Sequence, residues 1–82
     1  MTKTDSNKLK DYLIIHYGGR INVIKGAKSF KDALLEIEPI GLLKKSLEAF
    51  DDTEVDKIVE TYNDFSDTEI MNVYVIEEKI YG

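Results

Sequence analysis

Residues 11–25 read Asp11-Tyr12-Leu13-Ile14-Ile15-His16-Tyr17-Gly18-Gly19-Arg20-Ile21-Asn22-Val23-Ile24-Lys25, and this stretch decides the fold. Two runs rich in β-branched and aromatic side chains flank a Gly-Gly pair. Glycine reaches φ > 0 without the steric cost that a Cβ imposes, which is why primed two-residue turns favour it. The stretch therefore predicts a β-hairpin turning at Gly18-Gly19, with Gly26 ending the second strand.

Downstream the periodicity changes. Ser29 is placed as a helix N-cap, and Phe30, Ala33, Leu34 and Ile37 follow at i, i+3, i+4, i+7, one apolar helical face. Pro39 ends that helix near Glu38, because the residue before proline disfavours the α region. A second helix after Gly41 carries Leu43, Leu47 and Phe50 inward. Thr53 reads as the N-cap of a third helix with Val55, Ile58, Val59, Tyr62 and Phe65 on its apolar side. The joint at Asp51-Asp52-Thr53 either breaks or bends the path between these two helices. Ile70 to Ile76 is a strand, and Glu77 to Tyr81 can extend it. The expected fold is α+β: a small antiparallel-type sheet, built from the N-terminal hairpin and a C-terminal strand, with two or three helices on one face. Residues 1–10 read as a mobile basic arm and 11–82 as one domain.

The chain of 82 residues has no Cys, so neither a disulfide nor a thiolate metal site supports it. No apolar run approaches the ~20 residues that span a bilayer, and the polar start lacks an export signal. The expectation is a cytoplasmic protein with no membrane partner. The net charge of −5 is unevenly spread: residues 1–31 carry net +5, whereas 48–69 carry net −8. Such asymmetry bears on partners and not on fold.

His16 is the single histidine, and no second His or Cys stands ready to join it as a base or metal ligand. A structural or solvent-facing role is expected. Gly18-Gly19 lies between two strands instead of before a helix, so it does not predict a phosphate loop. No nucleophile–base pair or metal set can be assembled. No catalytic residue, enzymatic activity, cofactor or metal is expected. The overall acidity also argues against direct nucleic-acid binding.

The acidic segment is the informative feature. Asp56, Glu60 and Asp64 share one stripe of the third helix, opposite Val55, Val59 and Tyr62, with a rise of about 6 Å between successive carboxylates. Like charges at i, i+4 cost a helix a few tenths of a kcal/mol per pair. Three readings stand: a solvated face, a surface that docks into a basic groove, and a Ca²⁺ or Mg²⁺ site that lacks the EF-hand spacing. The docking reading selects Asp52, Asp56, Glu60, Asp64, Asp67 and Glu69 as protein-binding residues.

In its Lys-, Ile-, Asp- and Tyr-rich composition, small size and acidic face, the chain resembles small acidic proteins of phages and mobile elements from low-GC Gram-positive bacteria. It is similar in style to the anti-CRISPR proteins. Several of those inhibit Cas9 by occupying basic nucleic-acid-binding surfaces. The resemblance implies a stoichiometric inhibitor, acting as a nucleic-acid mimic on a basic nucleic-acid-binding protein such as a CRISPR effector. It transfers no functional residues, since no motif is shared. The alternative is a homodimeric structural or adaptor module that associates through its sheet, with Tyr74 to Tyr81 as the candidate edge. Monomer and homodimer are both open at this point.

Overall fold

The computed structural model describes residues 9–82. The arm expected over 1–10 therefore lies, up to residue 8, outside the described residues, and Lys10 already belongs to the first strand. The elements run β1 (Lys10–His16), β2 (Ile21–Ala27), α1 (Phe30–Ile37), α2 (Gly41–Leu47), α3 (Val55–Phe65), β3 (Ile70–Val75) and β4 (Glu78–Tyr81). The four strands form one antiparallel sheet in the order β2-β1-β3-β4. The α+β class, the N-terminal hairpin and the C-terminal strand are as the sequence predicts.

Alternation along the strands separates two faces. Tyr12, Ile14 and His16 of β1 point inward, beside Ile24 of β2 and Val73 of β3. These meet Phe30, Ala33 and Leu34 of α1, Leu43 and Leu47 of α2, and Ile58, Val59 and Tyr62 of α3 in one core. The helix α1 packs nearest β2 and α3 nearest β4, while α2 rests on both helices. All three helices thus cover a single face of the sheet. At about 25 cal/mol per Å² of apolar surface, this core is the main source of stability in a chain without disulfides.

Several local expectations are corrected. The first connection spans Tyr17 to Arg20, closed by His16 N–H donating to the Arg20 carbonyl at 2.8 Å. Gly18 and Gly19 both take positive φ, 93° and 95°, within this longer turn instead of forming a two-residue one. Gly26 does not end β2. It occupies a β-bulge at φ 70°, where its N–H donates to Asp11 Oδ1 at 3.0 Å. The stretch after Ile70 does not run on to Tyr81 as one strand. It turns back at Ile76-Glu77 to add β4 as the edge, and Tyr74 lies inside the sheet on β3.

The caps show how one part of the chain supports another. Ser29 accepts from Asp32 N–H at 3.1 Å, as an N-cap should. Asp52, 22 residues further on, accepts from Phe30 N–H at 3.2 Å and from Lys31 N–H at 3.1 Å. Three of the four N–H groups left open at the start of α1 are thereby satisfied, and a carboxylate sits at the positive end of its dipole. The joint between α2 and α3 is consequently a true break. Thr53 does not cap α3, whose N-cap is Glu54 with no side-chain cap bond. Thr53 instead donates its hydroxyl and N–H to Asp51, which lowers the Asp51 pKa.

Candidate acidic surface on α3 and β4

The solvent side of α3 carries Asp56, Glu60 and Asp64, all exposed, because the opposite side supplies Ile58, Val59 and Tyr62 to the core. Lys57 is spent on Glu54, at 3.5 Å. Among the described residues this is the only ion pair, so the three stripe carboxylates have no basic partner there.

The edge strand β4 brings Tyr81 beside this stripe. Burial raises the Tyr81 pKa, and the negative charges of Asp56 and Glu60, then Tyr17 and Glu69, raise it further. All three carboxylates lie within electrostatic reach of the phenol, although Glu69 lies nine residues beyond Glu60 and outside the helix. The sheet makes this possible. The Glu69 carbonyl accepts from Tyr17 N–H at 3.0 Å, which anchors the entry to β3 against the first hairpin. At the other end of α3, Val55, Asp56 and Ile80 line a shallow groove between helix and edge strand. The surface therefore offers carboxylates beside apolar area and the unpaired backbone edge of β4.

The six residues selected from sequence separate into groups. Asp56, Glu60 and Asp64 share the exposed side of α3, and Glu69 is exposed at the entry to β3. Asp67 is exposed in the turn after α3. Asp52 is not part of this surface: it is half-buried and clamps α1 through both carboxylate oxygens. Tyr81 was named from sequence only as the end of the candidate sheet edge, and the tertiary structure sets it beside the acidic helix.

His16 is fully buried. Its Nδ1 lies 3.2 Å from the Thr68 carbonyl and its Nε2 lies 2.8 Å from Asn22 Oδ1, with the ring near that of Tyr62. It joins β1, β2 and the entry to β3 in a polar cluster under the helices. The Tyr62 hydroxyl is buried without a hydrogen-bond partner, and burial raises its pKa. Among the described residues no group of three or more His, Cys, Asp or Glu side chains is placed to hold a metal ion. No helix there is long and apolar enough to cross a membrane. No protein-family model matches the chain, and no curated protein or solved structure is detectably similar to it.

Proposed function

We propose that this protein is a non-enzymatic binding protein that presents the α3–β4 acidic surface to a basic groove of the kind that holds nucleic acid. The observation that carries the reading is the exposed α3 stripe of Asp56, Glu60 and Asp64, which forms no ion pair among the described residues. The helix spaces these carboxylates about 6 Å apart on one side, so a partner's Arg or Lys side chains meet a regular row of negative charge. The resemblance to anti-CRISPR proteins makes a CRISPR effector in the cytoplasm the partner of choice and phage counter-defence the setting.

The test is titration of the protein into a purified Cas9-type effector, with and without guide RNA, at low and high salt. Binding should weaken steeply with salt. Glu60→Lys should cost about tenfold or more in affinity, whereas Glu36→Lys, the same charge change on the exposed side of α1, should cost little. Equal effects of the two substitutions would remove the α3 stripe from the interface.

A further inference from the structure

Among the described residues nothing covers the sheet face away from the helices, and its register arranges the outward side chains in rows. Val23, Leu13, Tyr74 and Lys79 stand side by side across all four strands, and Ile21, Ile15 and Asn72 form the next row. Five of these seven side chains are apolar. Ile21 and Val23 are each 59% exposed, although they occupy a regular strand whose inner residues are core. Charge is confined to the margins, with Lys79 on the edge and Lys25 and Asp11 at one end. A contiguous apolar patch of this kind marks an association surface.

We propose that this face docks a second copy of the same chain, sheet on sheet, about a two-fold axis running along the strands. The charges select both the occupant and the axis. Lys25 near the end of β2 and the β3–β4 turn carrying Glu77 lie at the same end of the sheet, on opposite edges, since Ile76 N–H donates to the Asp11 carbonyl at 3.0 Å. An axis along the strands keeps that end aligned while exchanging left and right, so each copy's Lys25 comes over the other's Glu77. An axis across the strands would bring Lys25 over the other copy's Arg20, and Glu77 toward the end that carries Glu69, pairing like charges. The repulsion between two chains of net −5 is also minimised. Face-to-face sheets lie about 10 Å apart with the helices outside them, which separates the two acidic stripes by well over the ~8 Å Debye length.

The contact is small. Strands of seven, seven, six and four residues, at about 3.3 Å per residue and about 4.8 Å apart, offer about 380 Å² of flat area per copy. A standard interface uses about 800 Å² per partner, so the dimer forms only at high protein concentration. It displays the two acidic surfaces on opposite sides, and it stands whether or not those surfaces bind a basic groove.

Sedimentation equilibrium on the full chain, from about 1 μM to 1 mM at about 0.15 M ionic strength, tests this. The wild-type mass should climb toward two copies, and Val23→Asp should hold it at one. Lys25→Glu and Glu77→Lys should each weaken self-association about tenfold or more. An equimolar mixture of these two variants should restore it, because both cross-copy pairs are then opposite in charge. A wild type that stays monomeric at 1 mM would overturn the proposal. So would a dimer insensitive to Val23→Asp, or a mixture that associates no better than either variant alone. The mixture separates a lost contact from a misfolded chain.

Discussion

The two hairpins of this sheet are built on opposite terms. The β1–β2 hairpin has its turn written locally: Gly18 and Gly19 take φ of 93° and 95°, and an added Cβ at either would meet nothing within 4 Å. The β3–β4 hairpin turns through Ile76-Glu77, where Ile76 sits at φ 58°, the only positive-φ residue besides glycines among the described residues. A β-branched residue in that region costs about 1–2 kcal/mol. Its side chain recovers nothing by burial, being 72% exposed. The cost is offset elsewhere, because the turn lets β4 pair with β3 and brings Ile80 and Tyr81 against the core beside α3. One hairpin is thus specified by its turn and the other by its destination.

The largest expected effect comes from the strand pair that joins the hairpins. Ile14 is fully buried and lies opposite both Asn22 and Val73, so Ile14→Ala should cost about 2–5 kcal/mol in urea unfolding. A loss below 1 kcal/mol would mean that the hairpins do not share a core. The turns themselves should respond with opposite signs. Gly19→Val should destabilise by about 1–2 kcal/mol through backbone conformation alone, since space is available. Ile76→Gly should stabilise by up to about 1 kcal/mol, the relief of strain exceeding the entropy that glycine adds to the unfolded chain. Two changes of the same sign in thermal unfolding would end the contrast.

The smallest effect is a pH dependence. Burial, followed by nearby carboxylates, raises the pKa of Tyr12 in the first hairpin and of Tyr81 in the second above 10.0, and burial raises that of Tyr62. A raised folded-state value means that the fold favours the neutral phenol. The associated stability is fully present below pH 10.0 and is lost as pH rises through the raised values. Unfolding followed from pH 9 to 11.5 should show this decline, and Tyr81→Phe should make it shallower by removing the part that belongs to β4. An identical slope in that variant would show that Tyr81 does not contribute.

What was legible follows the same division. The Gly-Gly hairpin, the Ser29 cap, the stop at Pro39 and the apolar faces of α1 and α3 each depend on residues within one or two turns of one another. The exposed acidic stripe was legible for the same reason, since i, i+4 spacing sets a helix face without reference to the rest of the molecule. The second hairpin was not legible, because Ile-Glu carries no turn signature. Nor was the role of Asp52, which resembles its acidic neighbours in sequence and is set apart only by the α1 N–H groups it accepts from.

By itself, then, the sequence determined the class of fold, the periodicities that divide each element into an inner and an outer side, and the polarity of charge along the chain. These arise from backbone sterics and from the geometry of helix and strand, which act over a few residues. Only the tertiary structure decided that the C-terminal stretch doubles back and that Asp52 leaves its acidic neighbours to cap α1. It also decided the strand order β2-β1-β3-β4. Those outcomes depend on packing between elements distant in sequence, where burial in a shared core outweighs a local preference of one or two kcal/mol.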